Sequence, residues 1–241
     1  MDALIYTAMS GAERALRGQQ VHANNLANLD TSGFRANLEL ATAAALPGYG
    51  YDDRHMSRMQ ANAVNGRQGA LKATGRELDV AISGAGMFAV QGPTGEAYTR
   101  AGGITLDADG TMTVNGMQLL GEGGPLTLPI HTRVEIGQDG TVSIQVPGQA
   151  QMQVIDKLKL VKAETSELTK NEAGLLVARD GQPLNTDNTV QVRAGHLEGS
   201  NVSAVEEMVA VMSLNRTFEI QMKLFKASDS MNEAGNRLLG A

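Results

Sequence analysis

Glycine and proline are distributed unevenly along this chain of 241 residues, and their positions limit where long helices can form. Of the 28 glycines, 17 fall within residues 66–148, and the six prolines all lie from Pro47 to Pro183. Both residue types interrupt helices and favour turns. The two ends are therefore candidates for long helices, and the middle is a candidate for short strands joined by tight turns.

The N-terminal segment carries a stripe of residues with helical spacing. Its members recur every three or four positions: Ile5, Met9, Ala12, Leu16, Gln19, Ala23 and Leu26. This heptad spacing predicts a helix over residues 3–28. The stripe offers little apolar area, because two of its seven members are alanine. Gly11 and Gly18 also lie within the predicted helix and add no apolar side chain.

The C-terminal segment predicts a longer helix over residues 203–239. Ser203 and Glu206 have the spacing of a capping box. Two stripes follow, formed by Met208, Val211, Asn215, Phe218, Met222 and Phe225 and by Ile220, Leu224, Ala227, Met231, Ala234 and Leu238. Two stripes need two partner surfaces, and one shorter helix cannot cover both. We therefore expect this helix to pack against other chains as well.

The middle of the chain alternates apolar and polar residues with a period of two, which is typical of strands. The alternating segments are residues 78–82, 87–90, 111–114, 141–146 and 189–192. Asn-Gly and Asp-Gly pairs, which favour hairpin turns, stand between them at 109–110, 115–116, 139–140 and 180–181. The pattern favours an antiparallel sandwich or small barrel. The predicted fold class is mixed: long α-helices at both ends, forming a coiled-coil-like pair, flank an all-β antiparallel central body.

The same patterns divide the chain into three predicted domains. Residues 1–30 and 203–241 form a discontinuous helical inner-core domain. Residues 31–75 and 185–202 form a connector domain, and residues 76–184 form a β-rich outer domain. The part of the connector over residues 35–65 is ambiguous, and we interpret it as a long segment lying on other surfaces.

Composition excludes several classes of protein. The chain has 20 basic and 26 acidic residues, a net charge of −6, which lacks the basic footprint of a nucleic-acid-binding protein. The absence of cysteine excludes disulfides, thiolate metal sites and a cysteine nucleophile. No stretch approaches 18 apolar residues, so we expect no membrane span. The acidic start, Met1–Tyr6, does not resemble a cleaved secretion signal.

Residues with catalytic or metal-binding potential are scattered. The four histidines (His22, His55, His131 and His196) lack the spacing of a metal site. Residues 84–89 match a variant of the dinucleotide-binding fingerprint, but that motif needs a following helix, and residues 87–90 predict a strand. We therefore expect no catalytic residue, metal, cofactor or small-molecule substrate, and no enzymatic activity.

Three asparagines, Asn24, Asn25 and Asn28, crowd the end of the first predicted helix. Asparagine is a mediocre helix former, but it caps helices and fixes the register of packed ones. A simple cap and turn would need only Asn28 and Gly33. We therefore interpret the three asparagines as polar register-setting residues.

Three blocks of the sequence resemble bacterial flagellar basal-body rod proteins. The first runs from Ala23 to Arg35 and contains the three asparagines. The second covers Gly69 to Val90 and continues through Tyr98–Gly102, and the third includes Leu197–Val202 and further residues up to Glu219. Together they span most of the chain. The residues Met1–Gly11 and the modest length favour a proximal rod subunit, with the distal rod subunit as the alternative.

The resemblance implies a structural subunit of the rod, the drive shaft that crosses the periplasm and transmits torque for motility. Its implied partners are the other proximal and distal rod subunits, copies of itself and the flagellar type III export apparatus. That apparatus exports such subunits from the cytoplasm without a cleaved signal peptide. The resemblance also implies that the terminal helices form the inner tube and that the β body faces outward.

We predict that the assembly interface combines apolar residues of both helices with the three asparagines. Its members are Ile5, Met9, Leu16, Asn24, Asn25, Leu26, Asn28, Met208, Phe218, Met222, Phe225 and Leu238. Two hypotheses from other classes compete with the rod subunit. A secreted coiled-coil adhesin with a β head would form a trimer alone and would need a surface anchor. A small β-sandwich hydrolase would need convergent acid–base or metal-binding residues in the middle region.

Overall fold

The computed structural model describes residues 2–45, 55–171 and 173–239. Its helices and strands are α1 (Asp2–Ala27), β1 (Asn37–Ala45), β2 (His55–Val64), β3 (Leu71–Ala73), β4 (Val80–Ser83), β5 (Met87–Gly92), β6 (Gly95–Thr99), β7 (Ile104–Leu106), β8 (Met112–Val114), β9 (Met117–Gln118), β10 (Leu120–Gly121), β11 (Gly124–Pro125), β12 (Arg133–Ile136), β13 (Thr141–Gln145), β14 (Met152–Lys157), β15 (Leu160–Val161), a short 3-10 helix (Thr165–Glu167), β16 (Leu168–Lys170), β17 (Leu176–Ala178), β18 (Gln191–Ala194), β19 (His196–Glu198) and α2 (Ala204–Leu239).

The chain divides into two compact units. The helical unit comprises Met1–Ala27, Asn37–Asn62 and Ser203–Ala241, and the β unit comprises Asn28–Ala36 and Ala63–Val202. Both terminal helices begin and end within one residue of their predicted bounds. The division into three domains stays a prediction. Part of the predicted connector is strand, since β1 and β2 pair in a two-stranded sheet.

In the helical unit, the face that α1 packs against α2 consists mainly of small and polar residues. The α1 positions that are most buried are Ala8, Ala15, Gly18 and Asn25. A Cβ added at Gly11 would lie 2.9 Å from the Gln221 side chain, so the two helices approach closely there. Small residues permit this approach but bury little apolar area.

The prediction of a coiled-coil-like pair is therefore wrong. The predicted α1 stripe does not form the seam: Met9 is 61% exposed and Leu16 is 45% exposed. The face of α1 that contacts α2 is formed at most positions by the residue just before the predicted stripe member. One residue corresponds to a rotation of about 100° around the helix axis, so the predicted stripe lies on a different face. Knobs-into-holes packing needs apolar residues at the facing positions. On α1 these positions are held by alanine, glycine and asparagine, which have no large apolar side chain to act as a knob.

The β unit is built from several small sheets. Its largest sheet has five strands in the order β15-β5-β6-β17-β16. Two sheets have three strands, β7-β8-β9 and β12-β13-β14, and β10-β11, β18-β4 and β19-β3 form pairs. These pairings are antiparallel, as the alternating pattern predicts. The predicted strand at 87–90 is confirmed within β5, and the predicted strand at 189–192 begins two residues later, at Gln191.

The core of the β unit has two apolar clusters. The larger one joins residues of β4, β5, β7, β8, β12 and β13, and Phe88, Ile104 and Ile144 are at most 1% exposed. The smaller one contains Met87 and Tyr98. The opposite-facing neighbours Met87 and Phe88 thus enter different clusters, as expected for a strand that is buried on both faces.

The glycines of the four predicted hairpin turns adopt left-handed backbone angles. The φ values are +77° at Gly110, +80° at Gly116, +84° at Gly140 and +72° at Gly181. Residues with a Cβ avoid this region, so glycine is favoured at these turns. The hairpin prediction is confirmed at residues 109–110, 115–116 and 139–140, which join paired strands. It is wrong at 180–181, which form a turn after β17 but no hairpin, because the next strand, β18, belongs to another sheet.

Candidate functional site: helix faces and a buried ion cluster

The polar residues at the end of α1 fasten it to the start of α2 and to β1. Asn25 is buried, and its Nδ2 donates to the Asn37 carbonyl at 3.0 Å and to the Glu207 carboxylate at 3.2 Å. Its Oδ1 accepts from the Asn37 backbone N–H at 2.8 Å. His22 Nδ1 lies 2.5 Å from Glu207 Oε2. Asn25 therefore fixes α1 against two neighbouring segments of its own chain.

The other two asparagines have local contacts. Asn24 is exposed, and its Oδ1 accepts from Asn37 Nδ2 at 3.4 Å. Asn28 belongs to the β unit, and its Oδ1 accepts from the Thr31 hydroxyl at 3.1 Å. Their role in setting the register between subunits stays a prediction.

The predicted interface residues of α2 differ in whether they face α1 or solvent. Phe218 is half-buried on the α1 side, whereas Met208, Met222 and Phe225 are exposed. Ile5 and Leu26 of α1 are half-buried. The side chain of Leu238 lies outside the described residues.

A second face of α2 points away from α1. Leu214 is half-buried and lines a cavity together with Thr7, Gly11 and Ala15 of α1, so it lies on the α1 side of α2. At about 100° per residue, four apolar residues lie roughly opposite Leu214: Val205, Val209, Met212 and Ile220. All four are exposed, and Ile220 is 50% exposed. Most of the exposed large apolar side chains of the described residues belong to the helical unit: Tyr6, Met9, Leu16, Leu38, Val205, Met208, Val209, Met212, Ile220, Met222, Leu224, Phe225 and Met231. We call the α2 face formed by Val205, Val209, Met212 and Ile220 the outer face of α2.

The β unit contains a buried cluster of two arginines and one glutamate. Glu198 is fully buried, and Arg35 and Arg100 are 5% and 6% exposed. Arg35 Nη2 lies 2.8 Å from Glu198 Oε1, and Arg100 Nη1 lies 2.9 Å from Glu198 Oε2. Each carboxylate oxygen thus accepts from a different guanidinium.

Backbone groups complete this Arg35–Glu198–Arg100 cluster. The Gly69 N–H donates to Glu198 Oε1 at 2.9 Å. Arg100 Nη2 donates to the Gly84 carbonyl at 2.5 Å, and Arg35 Nη1 donates to the Arg67 carbonyl. Burial lowers the pKa of both arginines, that of Arg100 to about 10, although Glu198 acts in the opposite direction. Both guanidiniums remain protonated at neutral pH.

The sequence did not predict this cluster. Each of the three blocks that resemble rod proteins contributes one member: Arg35 ends the first, Arg100 lies in the second and Glu198 lies in the third. The available signal was the presence of Arg35, Arg100 and Glu198 within the three blocks, but those blocks contain other charged residues as well, so it does not single these three out. Hydrophobic periodicity carries no information about such pairings, because the partners are 98 or more residues apart.

Lys170 lies beside this cluster in the β unit. Its Nζ lies 3.9 Å from the centre of the Phe34 ring and donates to the Arg35 carbonyl at 2.6 Å. Burial lowers the pKa of Lys170 from 10.5 to about 8. Lys170 thus holds the segment that carries Arg35 through a cation–π contact and one hydrogen bond.

This lowered pKa predicts how the stability of the β unit depends on pH. Between about pH 8 and 10.5 the unfolded chain binds more protons at Lys170 than the folded chain, so stability rises with pH in this window. The urea midpoint should therefore increase between about pH 7.5 and pH 9.5, and Lys170→Met should reduce that increase. Lys72→Met, at an exposed lysine, is the control and should leave it intact. An unchanged slope in Lys170→Met would contradict the prediction.

The described part of the chain has no group of three His, Asp or Glu residues placed to hold a metal ion. Neither described helix combines the length and apolar character needed to cross a bilayer.

Comparison with protein families gives three matches in chain order. Residues 5–35 match the model of "Flagella basal body rod protein", and residues 81–144 match "Flagellar hook protein FlgE/F/G D1 domain". Residues 193–238 match "Flagellar basal body rod FlgEFG protein C-terminal". Each matched region contains one residue of the Arg35–Glu198–Arg100 cluster. The matches define the class as flagellar hook and rod proteins.

Comparison with whole proteins narrows the class. The chain is 38% identical to the flagellar basal-body rod protein FlgF of Salmonella typhimurium and to FlgF of Escherichia coli, each over 99% of both chains. It is 29% identical to the rod protein FlgG of Buchnera aphidicola from Acyrthosiphon pisum, over 94% of this chain and 96% of the relative. The chain therefore belongs to the flagellar basal-body rod protein family and is FlgF-like within it.

Proposed function

We propose that this chain is a structural subunit of the proximal part of the flagellar rod and works without enzymatic activity. Its partners are other rod subunits and copies of itself, and packed helices transmit torque between them. The rod places the subunit across the periplasm, after export from the cytoplasm by the flagellar type III apparatus. Full-length similarity to FlgF proteins supports the assignment to the rod.

The outer face of α2 is the observation that carries this proposal. Val205, Val209, Met212 and Ile220 expose apolar area on a face that α1 cannot cover. Several exposed large apolar side chains on one helix face favour a site of contact with another protein, and here the exposed Arg216 lies among them. A helix that buries one face within the chain and offers the other to a neighbour suits an axial assembly.

The predicted interface residues take different parts in this proposal. Met9, Leu16, Met208, Met222 and Phe225 are exposed and would contact neighbouring subunits directly. Six further predicted members also take part in contacts within the chain: Ile5, Asn24, Asn25, Leu26, Asn28 and Phe218. The side chain of the last member, Leu238, lies outside the described residues. Together they would form the helical inner-core domain.

Ile220→Asp tests the proposal directly. The substitution places a charge on the outer face of α2, where burial against a neighbour would leave it unpaired, at a cost of several kcal/mol (roughly 3–5). In a flagellated strain that carries this chain in place of its own FlgF, we expect loss of swimming and of assembled rods. Ile220→Leu keeps the apolar area, and Lys226→Asp adds an acid to another exposed position of α2, so both should swim.

Phe218→Asp and Leu26→Asp should also abolish rod assembly and motility while the β unit stays folded. Both residues are half-buried within the chain, so their loss also weakens the α1–α2 contact. Ile220→Asp separates the two effects, because its side chain faces away from α1. Normal swimming of Ile220→Asp would refute the outer face as an assembly surface. A stable trimer of the purified wild-type chain would favour the adhesin hypothesis.

A further inference from the structure

The β unit contains a cleft with a volume of about 410 Å³. Arg35 and Arg100 line it, together with the glycine-rich turn of residues 84–86 and the exposed side chain of Lys162. Glu198 does not line the cleft; it is fully buried and holds both guanidiniums. The wall of the cleft is therefore positively charged.

The charges around this cleft do not balance. In the buried cluster, Arg35 and Arg100 contribute two positive charges and Glu198 one negative charge, which leaves one positive charge. The exposed Lys162 is offset by the exposed Glu164 and by Asp187, with whose carboxylate it also interacts. The Glu164 side chain is exposed and is not part of the buried cluster. Within the interior, two buried guanidiniums share one carboxylate. Burying like charges with a single counter-charge is unfavourable, so a second anion would be stabilised there.

Donor groups for such an anion are present. In each of the two arginines, the hydrogen bonds described above engage both Nη atoms. Among the described residues, neither Nε–H makes a hydrogen bond. A guanidinium carries five N–H donors and binds carboxylates through a planar fork. The cleft is open at the exposed residues Gly84 and Ala85, so a side chain could enter from outside.

We propose that this cleft is a carboxylate-binding site that takes an Asp or Glu side chain presented by a neighbouring rod subunit. The proposal rests on the function proposed above for the choice of partner, but the binding chemistry does not depend on it. The bound carboxylate completes the charge balance of the Arg35–Glu198–Arg100 cluster and fastens the neighbour to the β unit. This contact is separate from the helix faces.

Acetate is the probe for the binding chemistry. Purified full-length protein with 15N-labelled arginine is titrated with sodium acetate, with sodium chloride at matched ionic strength as the reference. We expect saturable shifts of arginine Nε–Hε signals, with half-saturation on the order of 1–10 mM. Shifts that do not saturate, or that chloride reproduces, would overturn the proposal.

Ala85→Glu gives a second test that leaves the cluster intact. The new carboxylate at the mouth of the cleft should occupy the site itself and weaken acetate binding about tenfold or more. The matched control is Ser83→Glu, which adds the same charge at an exposed position outside the lining. It should weaken acetate binding much less than Ala85→Glu does, because its carboxylate acts only by through-space repulsion and does not occupy the cleft. Equal binding by the two variants would count against the cleft.

A photocrosslinking amino acid at position 85 identifies the source of the carboxylate in flagellated cells. An adduct to a rod subunit at an Asp- or Glu-containing segment, absent with the crosslinker at position 83, supports the proposal. Failure to form that adduct in swimming cells overturns the neighbouring subunit as the source, even if acetate binds. The acetate titration uses the free chain, so it fails or succeeds independently of the Ile220→Asp motility test.

Discussion

Glu198→Ala is expected to lower the free energy of unfolding of the β unit by about 3–5 kcal/mol. The substitution leaves Arg35 and Arg100 buried beside each other without a carboxylate. It also removes the acceptor of the Gly69 N–H. Removing one partner of a buried ion cluster is costly because the remaining charges stay out of water.

Urea unfolding followed by the fluorescence of the tyrosines, or by circular dichroism, measures this loss. Glu198→Gln keeps the shape and one acceptor, so its loss should be intermediate. The control is Glu135→Ala, at an exposed position of β12, which should stay within about 0.5 kcal/mol of the wild type. A loss below about 1 kcal/mol for Glu198→Ala would show that the cluster contributes little to stability.

Gly33→Ala is the second substitution for which we expect a large effect, a loss of about 2–5 kcal/mol in the stability of the β unit. Gly33 has a φ of +68°, which disfavours any residue with a Cβ. The added Cβ would lie 2.1 Å from the Ala101 backbone nitrogen, and backbone cannot move aside as a flexible side chain can. The Gly33 N–H also donates to the Glu198 carbonyl at 2.8 Å.

Gly181→Ala separates the two causes. Gly181 has a similar φ of +72°, but an added Cβ would meet nothing within 4 Å. Its expected loss is therefore the backbone cost alone, about 1 kcal/mol. Thermal unfolding of both variants under the same conditions makes the comparison. If the two substitutions cost the same, the close approach of residues 33 and 101 is not a constraint.

Local patterns predicted the elements of this fold because their signals are short-range. The capping and spacing signals placed both helices to within a residue, and the Asn-Gly and Asp-Gly pairs identified four turns. The error over the seam of α1 has a physical cause. A prediction from apolar periodicity places the largest apolar side chains at the helix contact. In this protein Met9 and Leu16 stay exposed, and the smaller residues Ala8, Ala15 and Gly18 form the contact because they let the helices approach closely.

These local patterns could not predict hydrogen bonds and ion pairs between residues far apart in the sequence. The sequence pointed to Asn25 together with Asn24 and Asn28, but the partners of Asn25, Asn37 and Glu207, could not be predicted from spacing. The same holds for Arg35, Arg100 and Glu198. Ion pairs between distant segments leave no periodic trace in the sequence, so the charged residues of the three blocks could not be matched with one another.

The pairing of α1 with α2 has a consequence for the order of events during protein synthesis. The contact between His22 and Glu207 joins residues 185 positions apart, and that between Gln19 and Asn215 joins residues 196 positions apart. At 5–20 residues per second, a ribosome needs roughly 10–40 s to make the chain between them. During that interval α1 has no α2 to pack against. Cellular factors that engage the nascent chain therefore meet α1 as an unpaired amphipathic segment.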